Sequence, residues 1–126
     1  MPWQFNSSQA VFIQISDKLR RDIINGKYPP DSQIPSVRQL AFDAAVNPNT
    51  MQKALCVLEE EGLLKTQGTI GRFITSDLCV LEEARKKVRE ETIKRFLEEV
   101  RSLDISSDEL IEYIKKEDQV NEHSRS

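Results

Sequence analysis

From Ala10 to Asn25 the apolar residues Phe12, Ile15, Leu19 and Ile23 return every three or four positions, the spacing that lines up one buried face of a helix. Gly26 follows, where a left-handed residue ends a helix at least cost. The segment KYPPDSQIP holds three prolines in nine residues and is expected to run as an extended connection. Ser36 stands directly before VRQLAFDAA, a favoured N-cap for a short helix whose Val37, Leu40, Ala41 and Ala44 can face inward. A third helix is expected to start at Pro48 behind an Asn47 cap, because the first helical N–H has no intrahelical partner for proline to lose. Met51, Ala54, Leu55 and Leu58 form its apolar stripe, and Gly62 ends it after Glu61.

The pattern then changes period. In LLKTQGTIGRFIT two short apolar, β-branched or aromatic runs flank a glycine-containing turn, a hairpin signal. Gly68 and Gly71 permit the turn, and Phe73 is expected to point back toward the helices. Beyond Asp77, Leu81, Ala84, Val88, Thr92, Phe96, Val100 and Leu103 trace a helical face through a highly charged segment. A second tail helix is expected to start from a Ser107 cap, with Asp108 and Glu109 in a first turn that suits carboxylates. Leu110, Ile111 and Ile114 give its apolar side, and the last residues, QVNEHSRS, are expected to fray. The division is therefore a domain over residues 1–76 and a helical region over residues 77–126.

Composition narrows the function classes. No apolar run approaches the roughly 20 residues of a membrane span, and MPWQFNSSQAVF lacks the basic and apolar regions of a signal peptide. A cytoplasmic protein with no membrane partner is expected. Cys56 and Cys79 are not spaced as a metal pair, and no disulfide is expected of them. With one histidine, no phosphate loop and no Cys–His or carboxylate cluster, no catalytic constellation, metal or cofactor is proposed. The net charge of −3 argues mildly against a nucleic-acid partner until its distribution is read. Residues 1–76 hold 8 Lys/Arg against 7 Asp/Glu, and residues 77–126 hold 10 against 14. The acid sits in the tail, and Glu59, Glu60 and Glu61 gather at the far end of one helix, leaving the remaining surface of the first part basic.

Three helices followed by a hairpin is the order of a winged helix-turn-helix, and AVN is the short connection this motif requires between its second and third helices. A recognition helix needs an apolar face to dock on its own domain and short polar side chains at its N-terminal end, where the duplex groove meets it. Asn47, Asn49, Thr50, Gln52 and Lys53 meet that requirement. Backbone N–H groups at a helix start hold phosphate, and Asn and Thr side chains add to them. The Gln52 amide has the geometry to pair with adenine N6 and N7. Arg38 either reaches guanine or phosphate or is a solvated arginine paired with Asp43 or Asp31. Lys53 is expected on phosphate, the bland alternative being an ordinary polar helix face.

Residues 10–75 resemble the DNA-binding domain of the GntR family of bacterial transcription regulators. IPSVRQLA is similar to its Leu-Pro-Ser-x-Arg-x-Leu-Ala element, VNPNTMQKALCVLEEEGLL to its recognition helix and following turn, and GRFIT to the end of its wing. The Asn-Pro-Asn-Thr start joined to a short two-helix tail resembles the YtrA-like subfamily. The resemblance implies a mainly α (α+β) fold: a winged helix-turn-helix followed by a short C-terminal helical dimerisation region. It implies that Ser36 and Arg38 face DNA from the second helix, Arg38 as a base or phosphate contact. Asn47, Asn49 and Thr50 would be phosphate contacts, Gln52 a base contact, Lys53 a further phosphate contact, and the wing tip Gln67, Gly68 and Thr69 a minor-groove or backbone contact. Two departures stand out. Many family members carry arginine where this chain has Pro48 and Gln52, and the wing's Gly-x-Gly is not kept, because Thr69 takes the first glycine's place beside Gly68.

The expected protein is a homodimeric regulator, a repressor, on an inverted-repeat operator in double-stranded DNA. Leu81, Ala84, Val88, Phe96, Val100, Leu110 and Ile114 would form the dimer interface, since a palindromic site calls for a two-fold dimer. A tail of about fifty residues is too short to enclose a sizeable effector pocket, and the sequence names no small-molecule effector. The rival expectation is a winged-helix module for protein association, with the acidic tail as its interaction surface.

Overall fold

The computed structural model describes the backbone of residues 3–125 and the side chains of residues 3–121. In chain order the elements are α1 (Val11–Ile24), α2 (Val37–Ala44), α3 (Pro48–Glu60), β1 (Leu64–Gln67), β2 (Gly71–Ile74), α4 (Leu78–Ser102) and α5 (Ser107–Arg125). The apolar positions meet as their spacing requires. Ile15, Leu19 and Ile23 of α1, Leu40, Ala41 and Ala44 of α2, and Met51, Ala54, Leu55 and Leu58 of α3 form one buried cluster with Ile34, Leu63, Leu64 and Ile74. Phe12, expected on the same buried face, is only partly buried at the cluster's edge. Trp3 and Phe5, ahead of α1, also pack against the cluster.

Helix ends share one device. In α1 and α3 the chain leaves through Gly26 and Gly62, both at positive φ. Gly62 N–H donates to Glu59 C=O and Leu63 N–H to Leu58 C=O, at 3.0 Å each, the paired bonds that satisfy the last carbonyls of a helix. The same pair closes α2, where Ala45 N–H donates to Phe42 C=O at 3.1 Å and Val46 N–H to Ala41 C=O at 3.0 Å. There the left-handed residue is an alanine, Ala45, at φ 57° and ψ 46°.

The two strands pair antiparallel, with Leu64 opposite Ile74 and Gln67 opposite Gly71. The proline-rich connection is not simply extended: residues 31–34 run beside β2. Ile74 N–H donates to Ser32 C=O at 2.8 Å, Ile34 N–H to Arg72 C=O at 3.0 Å, and Gln33 lies opposite Phe73 in an isolated bridge. Those bonds satisfy the outer edge of β2, which would otherwise expose unpaired backbone.

One compact unit ends at Val88 and a second begins at Arg89, so the first extends past the expected boundary at residue 76. The reason lies in α4. Leu81 is 8% exposed and belongs to the first unit's core, with Val80 and Ala84 packed against it, while the Arg85 guanidinium donates to Ile24 C=O at the end of α1 at 2.6 Å. Leu81 and Ala84, expected at a dimer interface, are thus placed against their own winged unit. Val88, the last residue of that unit, is half-buried.

In the second unit α4 ends with the same bond pair, Asp104 N–H to Arg101 C=O and Ile105 N–H to Val100 C=O, around Asp104 at φ 58°. The cap of α5 is Ser106 rather than Ser107: its Oγ accepts from Glu109 N–H and donates to the Glu109 carboxylate, both at 3.2 Å. The Ser-x-x-Glu spacing of a capping box brings these two side chains together. Ser126 lies outside the described residues, and helix α5 is continuous through QVNEHSR to Arg125. No glycine or proline follows Gly71 to stop it. Of the expected interface residues in this unit, Val100 is buried and Leu110 half-buried, whereas Phe96 and Ile114 are 48% and 49% exposed. Ile93, Leu103, Ile111 and Tyr113 are exposed as well.

Candidate nucleic-acid interface

The second and third helices pack on each other, and α3 packs on α1 and β1. Three residues, Ala45, Val46 and Asn47, make the turn between α2 and α3. Asn47 is extended, and its side-chain oxygen accepts from Asn49 N–H at 2.7 Å. Its backbone carbonyl accepts from Thr50 N–H at 3.0 Å and Met51 N–H at 3.1 Å. Pro48 therefore begins the helix, as its sequence position implies. From this start Asn49, Gln52 and Lys53 are exposed and Thr50 is half-buried, while Met51, Ala54, Leu55 and Leu58 are turned into the core.

Each polar residue keeps or loses capacity according to its neighbours. Ser36 Oγ accepts from Gln39 N–H at 3.1 Å, so its first role is to cap α2. Gln52 reaches only the soft Cys56 sulfur, at 3.9 Å, which leaves its amide available. Arg38 is exposed, and neither expected carboxylate holds it. Asp43 accepts from the Gln39 amide at 2.9 Å, and Asp31 pairs with Lys65 at 3.5 Å. The Lys53 ammonium stands 4.1 Å from the centre of the Phe12 ring.

Most acidic groups up to Ser76 are paired with cations of the same unit. Glu59 binds Arg72 of β2 and accepts from Thr66 Oγ1 at 3.0 Å, which ties the end of α3 to the hairpin. Glu61 binds Arg20 of α1, which also holds Asp17 at 2.7 Å. The hydrogen bonds that Arg20 donates to Glu61, opposed by partial burial and aided by Asp17, raise the Arg20 pKa. Burial, reinforced by Asp22, raises that of Tyr28. Among the described residues of the winged unit up to Ser76, Arg21, Arg38 and Lys53 are the cations with no carboxylate partner. Two of those three lie on α2 and α3.

At the wing tip Gln67, Gly68 and Thr69 are exposed, and Ile70 N–H closes the turn onto Gln67 C=O at 3.0 Å. Gly68, at φ 52°, takes the corner that the missing glycine at position 69 would have supplied. Gln33 was not legible as part of this site. Its amide donates to Ile70 C=O at 2.8 Å, and a Cβ on Gly71 would stand 2.7 Å from that same nitrogen. Glycine at 71 thus provides both its φ of 139° and room for the strut. Phe42 of α2, also unmarked by the sequence pattern, is 83% exposed.

A sequence profile for bacterial regulatory proteins of the gntR family matches residues 13–74. The chain is 30% identical over 112 residues to the HTH-type transcriptional regulator YhcF of Bacillus subtilis, covering 89% of this chain and 93% of that one. It is 30% identical over 111 residues to the HTH-type transcriptional repressor YtrA of the same organism, covering 87% and 85%. A GntR family transcriptional regulator from Listeria monocytogenes superposes with a TM-score of 0.82 at 29% identity, covering 89% of this chain and 98% of that one. No described helix is long and apolar enough to cross a membrane. Because the likeness extends from the helix-turn-helix through the tail, the chain belongs to the GntR family and is a DNA-binding transcriptional regulator rather than an enzyme.

Proposed function

We propose that the protein is a homodimeric repressor that binds an inverted-repeat operator through two winged units, with the tail as the contact between copies. One observation carries the dimer. Phe96 and Ile114, with Ile93, Leu103, Ile111 and Tyr113, remain exposed in the second unit of the single chain, a concentration of apolar surface that association would cover. A two-fold pair of reading helices then calls for a two-fold site. The name of the similar YtrA, a repressor, supports repression as the outcome. Family membership favours this reading over a module for protein association.

In this reading Asn47, Asn49 and Thr50 bind phosphate at the start of α3 and Gln52 reads adenine. Arg38 meets guanine or phosphate from α2 and Lys53 meets phosphate. Ser36 lies beside the contact at the α2 cap, and Gln67, Gly68 and Thr69 follow the backbone or minor groove. The test titrates the full chain against an inverted-repeat duplex, first recovered by selection from a random pool, and against random duplex as salt is raised. Sequence preference and a falling affinity with salt are expected, whereas their joint absence would refute the proposal. Arg38→Ala is expected to weaken operator binding by about 1–3 kcal/mol with no change in dimer mass by sedimentation.

A further inference from the structure

We propose that Phe12 is a positioning residue for DNA binding, its ring holding the Lys53 ammonium at the place from which it meets phosphate. The inference rests on Lys53 as a phosphate contact in the proposed function. Phe12 lies in the first turn of α1 and is only partly buried, and the Lys53 nitrogen stands 4.1 Å above its ring. This is well inside the range of about 6 Å over which a ring's negative face attracts a cation.

Two comparisons within the molecule give the pair its meaning. Lys18 lies 4.7 Å from the Trp3 ring and Lys27 5.6 Å from the Tyr28 ring, but both also bind the Asp22 carboxylate, at 2.9 and 3.7 Å. Among the described residues Lys53 has the ring alone. A carboxylate partner would cancel the charge that a phosphate is to meet. An aromatic face restrains the ammonium and leaves that charge whole. It covers one side of the group, so N–H donors turned away from it remain available to phosphate oxygens. An unrestrained lysine on a solvated helix loses much rotamer freedom when a contact fixes it. The Phe12 ring imposes part of that restriction before DNA arrives.

The test is a double-mutant cycle on the full chain with its selected operator duplex: Phe12→Leu, Lys53→Met and the two together, each titrated over a range of salt. Lys53→Met is expected to weaken binding and to lower the slope of log affinity against log salt by roughly one. Phe12→Leu is expected to weaken binding about two- to fivefold in the wild-type background and to have no effect once Lys53 is Met. Phe12→Trp, which keeps the aromatic face, is expected to restore wild-type affinity. If Phe12→Leu does not fold, a fluorinated phenylalanine at position 12 keeps the shape while draining the ring's negative face, and affinity should fall with fluorination. Equal weakening by Phe12→Leu in both backgrounds would show a purely structural role and overturn the inference. So would tighter binding, which would mean that the ring competes with phosphate, or an unchanged affinity in Lys53→Met. A wild-type chain that binds no duplex would instead overturn the proposed function itself.

Discussion

The winged unit and the tail are built from similar apolar residues and use them differently. In the first, Ile15, Met51, Leu55 and Leu58 are fully buried within one chain, and even Leu81, from the start of α4, is drawn into that core. In the second, Val100 is the one buried apolar side chain among the described residues, while Ile93, Phe96, Leu103, Ile111, Tyr113 and Ile114 stay exposed. The first unit satisfies its hydrophobic surface alone. The second is a pair of helices with good termini and little core of its own, and its exposed apolar residues are the surface that the proposed association would cover.

The strongest way to break this contrast is at the tail. Phe96→Glu combined with Ile114→Glu is expected to halve the mass measured by sedimentation and to lower operator affinity on the order of a hundredfold or more, because linked half-sites lose their avidity. The winged unit's unfolding should be unchanged, and a mass that stayed at its wild-type value would show that the exposed residues are not an interface. Leu55→Ala probes the opposite half. It opens a cavity in a filled core and should destabilise the winged unit by about 2–5 kcal/mol in denaturant unfolding, with the association of the tail retained. Ala45→Gly is the smallest change. Relief of a left-handed alanine, about 1–2 kcal/mol, is set against about 0.5–1 kcal/mol of extra chain entropy in the unfolded state. A net gain of about 0–1.5 kcal/mol is expected, confined to the winged unit's unfolding transition.

Much of the architecture was legible because it is local. Asn47–Pro48, Ser36 and Gly62 declare their roles within a few residues, and the helical stripes around Ile15 and Leu55 follow from spacing alone. What depends on distant partners was not. Gln33 acts on Ile70, 37 residues away, and a glutamine among prolines carries no mark of that. Ala45 adopts the conformation usually given to glycine, so the tight turn of the helix-turn-helix lacks its ordinary sign. The stripe from Leu81 to Leu103 keeps one helical period while its surroundings change. Periodicity names a buried face but not what buries it, which is why Leu81 and Ala84 were grouped with Phe96. At the candidate interface, the positions of Asn49, Thr50 and Gln52 followed from the helix start. The partner of Lys53 did not, because the same periodicity places Phe12 on the buried face of α1.

The pairing of acids with neighbouring cations has a further consequence for how such a chain finds its site. Glu59 is held by Arg72, Glu61 and Asp17 share Arg20, and Asp22 and Asp31 pair with lysines. Residues 1–76 therefore carry no excess of acid, 8 Lys/Arg against 7 Asp/Glu, despite the chain's net charge of −3. Up to Ser76, Arg21, Arg38 and Lys53 are the described cations left over to attract a polyanion at long range. Sliding along arbitrary sequence depends on that diffuse attraction, so residence on non-operator DNA should be brief, and discrimination should arise at close contact rather than during the approach.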